Sequence, residues 1–306
     1  MSVSGSGSMP LVSVVIPSYQ SARHIRTCLQ ALEEQETGVG YEVVLVDSSS
    51  DGTDGIVSAE FPWVRMTHFP DRKTAGQARN VGIRVALGRF ILFTDSDCIP
   101  CPEWVESMYA AFGRYGALGV GGTMANGTPW SLTGTAGFYL EFFRFLARDR
   151  EPFPVRFLVG GNSGFRREVF QDTCYSDDSL GEDMVFSWQT SSNGRLISIP
   201  LGQIRHLNRT GFRHFLAYQR KIGRACVMYR SVISPGAIRI FRYFPIASLL
   251  LPFVMIPWIA GVTLFRGRAR DFLSFLFLSP LCFVGSLAWA WGFREAINQN
   301  VCRERV

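Results

Sequence analysis

Two aspartates held one residue apart, Asp95 and Asp97, follow the apolar run 90–94. Paired carboxylates with one spacer suit Mg2+ or Mn2+, hard cations that take oxygen ligands and keep coordination places for phosphates. An isolated D-x-D has a second reading, as N-capping residues for a helix starting near Pro102. Pro17 and Tyr19 close another apolar run, and Asp47 a third. A carboxylate at Asp47 accepts hydrogen bonds from a base N–H or from ribose hydroxyls, and Tyr19 offers a ring for stacking. Asp51 reads either as part of the same site or as a turn and helix cap. Arg79 matches the bidentate geometry of a phosphate, and its neighbour Asn80 can reach ribose or backbone. Glu182 and Asp183 are adjacent, so on a helix they point about 100° apart and do not chelate one ion together. One of them alone, opposite a leaving diphosphate, is what an in-line displacement needs as a general base.

These residues need a frame that brings them together. From Leu11 to Gly122 apolar runs alternate with helical periodicity, the mark of βαβ units and a largely parallel sheet. Strands are expected at 11–16, 41–46, 63–68, 90–94, 117–123 and 195–199. Helices are expected at 22–34, 74–87, 168–172, 181–191 and about 213–231. The expected fold class is α/β, a mostly parallel Rossmann-like sheet with flanking helices over 11–215, after a flexible tail at 1–10. In such a sheet the ends of the strands at Pro17–Tyr19, Asp47 and Asp95–Asp97, with the segment 160–164, line one crevice, where a nucleotide would lie. The glycine spacing of 76–82 matches neither the P-loop nor the dinucleotide fingerprint, which weakens kinase and dehydrogenase readings. Between residues 126 and 154 strand character is lost. Phe138, Phe142, Phe145 and Leu146 share one helical face there, read as core packing or as an acceptor-side or membrane-contacting helix.

A basic helix at 216–239 leads to a hydrophobic end at 240–306. Residues 243–265 and 272–293 are uncharged, each long enough to cross a bilayer, although Pro245, Pro252, Pro257 and Pro280 interrupt them. Arginines before the first stretch and after the second put both ends, and the catalytic domain, on the cytoplasmic side of a cytoplasmic membrane. A full crossing would then export Arg266, Arg268 and Arg270. Spanning hairpin and one-leaflet dip both stand. The net charge of +6 is mostly this juxtamembrane excess, suited to anionic headgroups. No zinc-finger spacing or RNA-binding signature points to nucleic acid. Seven cysteines form no disulfide framework, and residues 1–8 show no secretory signal.

With these pieces the chain resembles the family 2 glycosyltransferases, inverting enzymes of the GT-A fold. The residues that carry the resemblance are 12–19, 44–53 ending in Asp51-Gly-Thr53, 76–80, Asp95-Ser96-Asp97 and Glu182-Asp183, in the family's order. The resemblance implies a nucleotide-diphosphate sugar donor, with Pro17, Tyr19, Asp47, Arg79, Asn80, Asp95 and Ser96 lining its site. It implies Mn2+ or Mg2+ held by Asp97, with Asp95 and His206 as further candidate ligands. Asp183 would be the base toward an acceptor hydroxyl, and Gly161, Asn162 and Glu182 would lie on the acceptor side. The apolar end suggests a lipid-linked or membrane-associated acceptor. Processive synthases of this superfamily carry Q-x-x-R-W before their membrane helices, and the segment after Gln219 lacks that arginine and tryptophan, which argues for one sugar per encounter.

Overall fold

The computed structural model describes residues 9–146, 151–177 and 181–303. It resolves into two compact units: one built from the described residues of 1–125 and 149–206, the other from those of 126–148 and 207–306.

The first unit opens with β1 (Val12–Ser18), α1 (Ile25–Glu33), β2 (Tyr41–Asp47), α2 (Thr53–Glu60), β3 (Arg65–His68), α3 (Ala75–Val85) and β4 (Phe90–Thr94). The apolar runs become strands because each is covered on both faces, and all five residues of β4 are buried. Then come β5 (Cys98–Pro100), α4 (Trp104–Tyr115), β6 (Gly119–Gly121) and β7 (Met124–Asn126). Helix α5 (Leu132–Phe142) belongs to the second unit. The first unit resumes with β8 (Phe153–Val155), β9 (Asn162–Arg166), α6 (Val169–Asp172), α7 (Glu182–Asn193), β10 (Leu196–Ser198) and β11 (Ile204–His206).

The main sheet runs β3-β2-β1-β4-β9-β6-β10-β8. Its first four strands are parallel, so their carboxyl ends, with Ser18, Asp47, His68 and Thr94, lie along one edge. Strand β9 is antiparallel to β4 and pairs Asn162 with Thr94, which delivers residues 160 and 161 to that edge. A second sheet, β5-β11-β7, decides the reading of the aspartate pair. Residues 98–100 form a strand, and α4 starts only after Glu103. Asp95 and Asp97 therefore sit at a junction between two strands and do not cap a helix. His206 pairs with Cys98 across β11 and β5, which brings it beside Asp97.

The second unit contains α5, a 3-10 turn at Phe143–Phe145, α8 (Phe212–Ile233), α9 (Pro235–Tyr243), a 3-10 segment at Pro245–Leu250, α10 (Leu251–Arg266) and α11 (Ala269–Arg303). The basic helix expected near 213–231 is α8. The aromatic stripe of 138–146 is core: Phe138, Phe142 and Leu146 are buried, with Tyr139 edge-on to Phe275 and Phe143 edge-on to Trp258. Aromatic area that finds partners within its own unit is removed from water there, which groups residues 126–146 with the C-terminal helices.

Helix α3 packs closely on β1 at Gly82, where any Cβ would strike the Val15 side chain. Gly82→Val should cost about 1–3 kcal/mol of stability through overpacking, read as a lowered thermal midpoint; an unchanged midpoint would contradict this close approach.

Candidate active site

The β1 and β2 ends form the first part of the site. Asp47 is fully buried, and its carboxylate accepts from Ser18 Oγ (2.7 Å), Ser49 Oγ (2.6 Å), Ser49 N–H (3.1 Å) and His68 Nδ1 (2.8 Å). A carboxylate only accepts, so Nδ1 of His68 carries the proton. Asp47 was expected to meet a base or ribose directly. In the structure its carboxylate oxygens are occupied by these protein donors. Tyr19 is 42% exposed, with the Arg72 guanidinium 4.5 Å above its ring. Among the described non-glycine residues Gln20 alone has a positive φ, 54°. That conformation is held by its N–H bond to Ser49 Oγ (2.8 Å), which ties the β1 loop to the β2 loop. Asp51 accepts from Ala22 N–H, Thr53 N–H and Thr53 Oγ, the turn-and-cap reading. Ser96 Oγ bonds Ser21 Oγ at 2.7 Å.

The second part is a buried charge bridge. Helix α3 begins with a Thr74–Gln77 capping box and carries Arg79, 3% exposed, into the interior. Its Nη1 donates to Glu182 Oε1 at 2.6 Å and its Nη2 to Asp95 Oδ1 at 2.8 Å, with the Tyr175 ring 5.5 Å from the guanidinium. Arg79 therefore grips two carboxylates where a phosphate was expected. Burial pushes the Asp95 and Glu182 carboxyls up, with the guanidinium opposing it. Burial would lower Arg79 too, but Asp95 and Glu182 outweigh it and hold the guanidinium charged. Asn80 takes the backbone of its two alternatives: its amide donates to Tyr175 O (2.8 Å) and accepts from Tyr175 N–H (3.0 Å).

Glu182 turns inward to Arg79, whereas Asp183, next on the first turn of α7, accepts from Gly160 N–H (2.9 Å) and Met184 N–H (2.9 Å). The two diverge as adjacent helical residues must. Paired glycines allow this closeness: a Cβ at Gly160 would lie 2.9 Å from Arg79 Nη2 and 3.1 Å from Asp183 Oδ2, and one at Gly161 would lie 2.8 Å from Asp95 Oδ2. Asn162, expected on the acceptor side, is fully buried and bonded to Trp104 Nε1, Thr123 O and Gly202 O. It anchors β9 and has no atom left for a ligand. Glu182 is likewise withdrawn from an acceptor by its ion pair.

The third part is a candidate metal centre. His206 Nε2 lies 3.6 Å from Asp97 Oδ1, and the Cys98 thiol completes a group whose ligand atoms lie within 4.8 Å of one another. Burial first, then both aspartates, push the Cys98 thiol well up. It stays protonated and is a poor ligand for a hard cation, whereas one carboxylate oxygen and one imidazole nitrogen suit Mn2+. Asp95, engaged by Arg79, is outside this group. Sequence reasoning missed His68 and Tyr175, and read Cys98 only as part of a lone C-x-x-C with Cys101. Of these His68 was within reach, as the last residue of an expected strand lying level with Asp47.

Residues 13–174 match the model of glycosyl transferase family 2, and the chain belongs to that family. Among curated relatives, glycosyltransferase AglE of Haloferax volcanii is 34% identical over 121 residues, 38% of this chain and 40% of that protein. Glycosyltransferase GlyG of Streptococcus pneumoniae is 34% identical over 103 residues, 32% of this chain and 34% of that one. The matched region spans well under half the length of these relatives. Among solved structures, the mannosyltransferase PcManGT of Pyrobaculum calidifontis with GDP-Man and Mn2+ aligns with a TM-score of 0.60 at 17% identity, covering 98% of this chain and 89% of that one. S. aureus TarS 1-349 with UDP-GlcNAc aligns at 0.55 and 18%, covering 95% and 92%. The fold is GT-A-like.

Removing Arg79 leaves the buried Glu182 carboxylate and the partly exposed Asp95 carboxylate without their counter-charge. Arg79→Met should cost about 3–5 kcal/mol. A carboxyl whose folded pKa lies above its unfolded value loses stability as pH rises between the two. Asp95 and Glu182 are already raised and would rise further, so the deficit should be larger near about pH 8 than near about pH 5. Denaturant titration at both pH values checks this; a pH-independent deficit would contradict the bridge.

Proposed function

We propose that this protein is an inverting glycosyltransferase that moves one sugar from a nucleotide-diphosphate sugar to a hydroxyl of a lipid-linked or membrane-associated acceptor. The observation that carries the reading is the convergence, at one sheet edge, of the Asp97–His206 pair, the Arg79-held Asp95 and the outward Asp183. Structural neighbours solved with GDP-Man and with UDP-GlcNAc support the donor class. The nucleoside lies at the β1 and β2 ends, stacked on Tyr19 beside Pro17 and Ser96, over the serine and histidine side chains that Asp47 holds. Asp97 and His206 are the residues that would hold Mn2+ or Mg2+, which when bound supplies Lewis-acid charge at the donor diphosphate.

Asp183 is the base. The Gly160 N–H fixes one carboxylate oxygen, and the start of α7 favours its negative charge. Asp183 takes the acceptor hydroxyl proton as that oxygen bonds to C1 of the sugar, and the bond from C1 to the diphosphate oxygen breaks on the opposite face. One displacement inverts the anomeric centre and leaves no covalent sugar on the protein. Asp95, neutralised by Arg79, faces the sugar beside Gly161. We assign the membrane-facing role to residues 240–306 and place the catalytic domain on the cytoplasmic side. Two helical stretches, Pro245–Arg266 and Ala269–Gln299, are long and apolar enough to enter a bilayer.

Asp183→Asn should lower transfer by about 10²–10⁴-fold while titration calorimetry still shows the parent's affinity for nucleoside diphosphate with Mn2+. Asp97→Ala should lose both. Undiminished transfer in Asp183→Asn, or loss of nucleotide affinity in it, would overturn the assignment of the base.

A further inference from the structure

We propose that α10 and α11 lie in the plane of one leaflet as an interfacial wedge, with their connector on the same side of the membrane as α8, and do not cross. This rests on the membrane attachment proposed above and adds its geometry. On α11 the exposed side chains Leu273, Leu276, Phe277, Pro280, Val284, Leu287 and Trp291 recur at helical spacing and form one apolar stripe. Phe253, Val254 and Phe265 of α10 are exposed in the same unit. So much exposed apolar surface on two neighbouring helices calls for a covering phase, and the arginines around it select lipid.

The opposite face of α11 is already taken. A Cβ on Gly285 would strike the Phe215 ring, one on Gly292 would strike the Arg220 backbone, and Glu295 is ion-paired with Arg220 and Arg224. Partner numbers rise together, so α8 runs parallel to α11 along residues 285–297. Helix α8 carries exposed Arg213, His214, Arg220, Lys221 and Arg224. If α11 stood upright in a bilayer, Arg213 and His214 would lie level with Val284, and Arg220 with Gly292. The connector brings Arg266, Arg268 and Arg270 at the other end. From Asp271 to Val284 an α-helix rises only about 21 Å, against a hydrocarbon thickness of about 30 Å. No stretch of α11 free of neighbouring charge is long enough to cross.

Helix α10 agrees. The Arg144 guanidinium lies 4.4 Å over the ring of Trp258, midway along it, and Gln219 donates to Glu141 at 3.0 Å in the same unit. Lying in the plane, the pair sinks its apolar stripe into the acyl region and leaves α8 and the connector among the headgroups. There their arginines meet anionic phosphates, and the arginine-rich connector need not be carried across.

The test uses the full-length chain in sealed membrane vesicles of each orientation, with Arg268→Cys in the connector and Arg213→Cys on α8 made separately. Both side chains are exposed, and the parent chain supplies the labelling blank. A membrane-impermeant maleimide should label both positions in vesicles with the cytoplasmic face outward and neither in the opposite orientation. Labelling of the two positions from opposite faces would overturn the wedge while leaving membrane attachment intact. Recovery of the chain in the soluble fraction after a low-salt wash, as a monomer or as a dimer covering the stripe, would overturn the attachment and the wedge with it.

Discussion

The buried guanidinium of Arg79 is the constraint on which the catalytic unit depends. A charge taken out of water is tolerated only where opposite charge and hydrogen bonds replace the solvent, and here Asp95 and Glu182 do so at 2.8 and 2.6 Å. Three elements meet in that bridge: α3, the end of β4 and the start of α7. Because Asp183 follows Glu182 directly, fixing Glu182 also fixes where Asp183 emerges. Asn80 clamps the backbone of Tyr175, whose ring flanks the guanidinium, and Gly160 and Gly161 keep the entry to β9 thin enough to lie against the guanidinium and the Asp183 and Asp95 carboxylates. The Asp97–His206 pair and Asp183 are thus set on either side of one ion bridge.

The parallel half of the sheet was legible in the sequence, because strands buried on both faces must be continuous apolar runs. The three-residue strands β5, β7, β8 and β11 were not, since such pieces carry no periodicity. Yet β5 and β11 bring His206 to Asp97, so only the family resemblance pointed to that pairing. The functional residue types were also legible, but not which of them face a ligand. Asp47, Arg79, Asn80 and Asn162 all have hydrogen-bonding groups suited to a donor or acceptor, and all four bond within the protein, Arg79 through its two terminal nitrogens. Their partners lie far away in sequence: Glu182 is 103 positions from Arg79, and Tyr175 is 95 from Asn80. No local pattern records such distances.

In the second unit hydropathy located the helices, and packing changed their meaning. The segment at 126–146 reads in the sequence as an aromatic insertion, but Tyr139 packs on Phe275 of α11 and Phe143 on Trp258 of α10. The basic residues of α8 read as a juxtamembrane face, and two of them, Arg220 and Arg224, in addition share Glu295 across a helix pair brought close by Gly223 and Gly292. Small residues at that crossing let two backbones touch, which a side-chain pattern does not reveal.

In the mechanism proposed, a single carboxylate, Asp183, drives one displacement at the sugar carbon. Comparing the anomeric configuration of donor and product by proton NMR during turnover tests it most directly. Opposite configurations are the predicted result; a product that keeps the donor's configuration would contradict the mechanism.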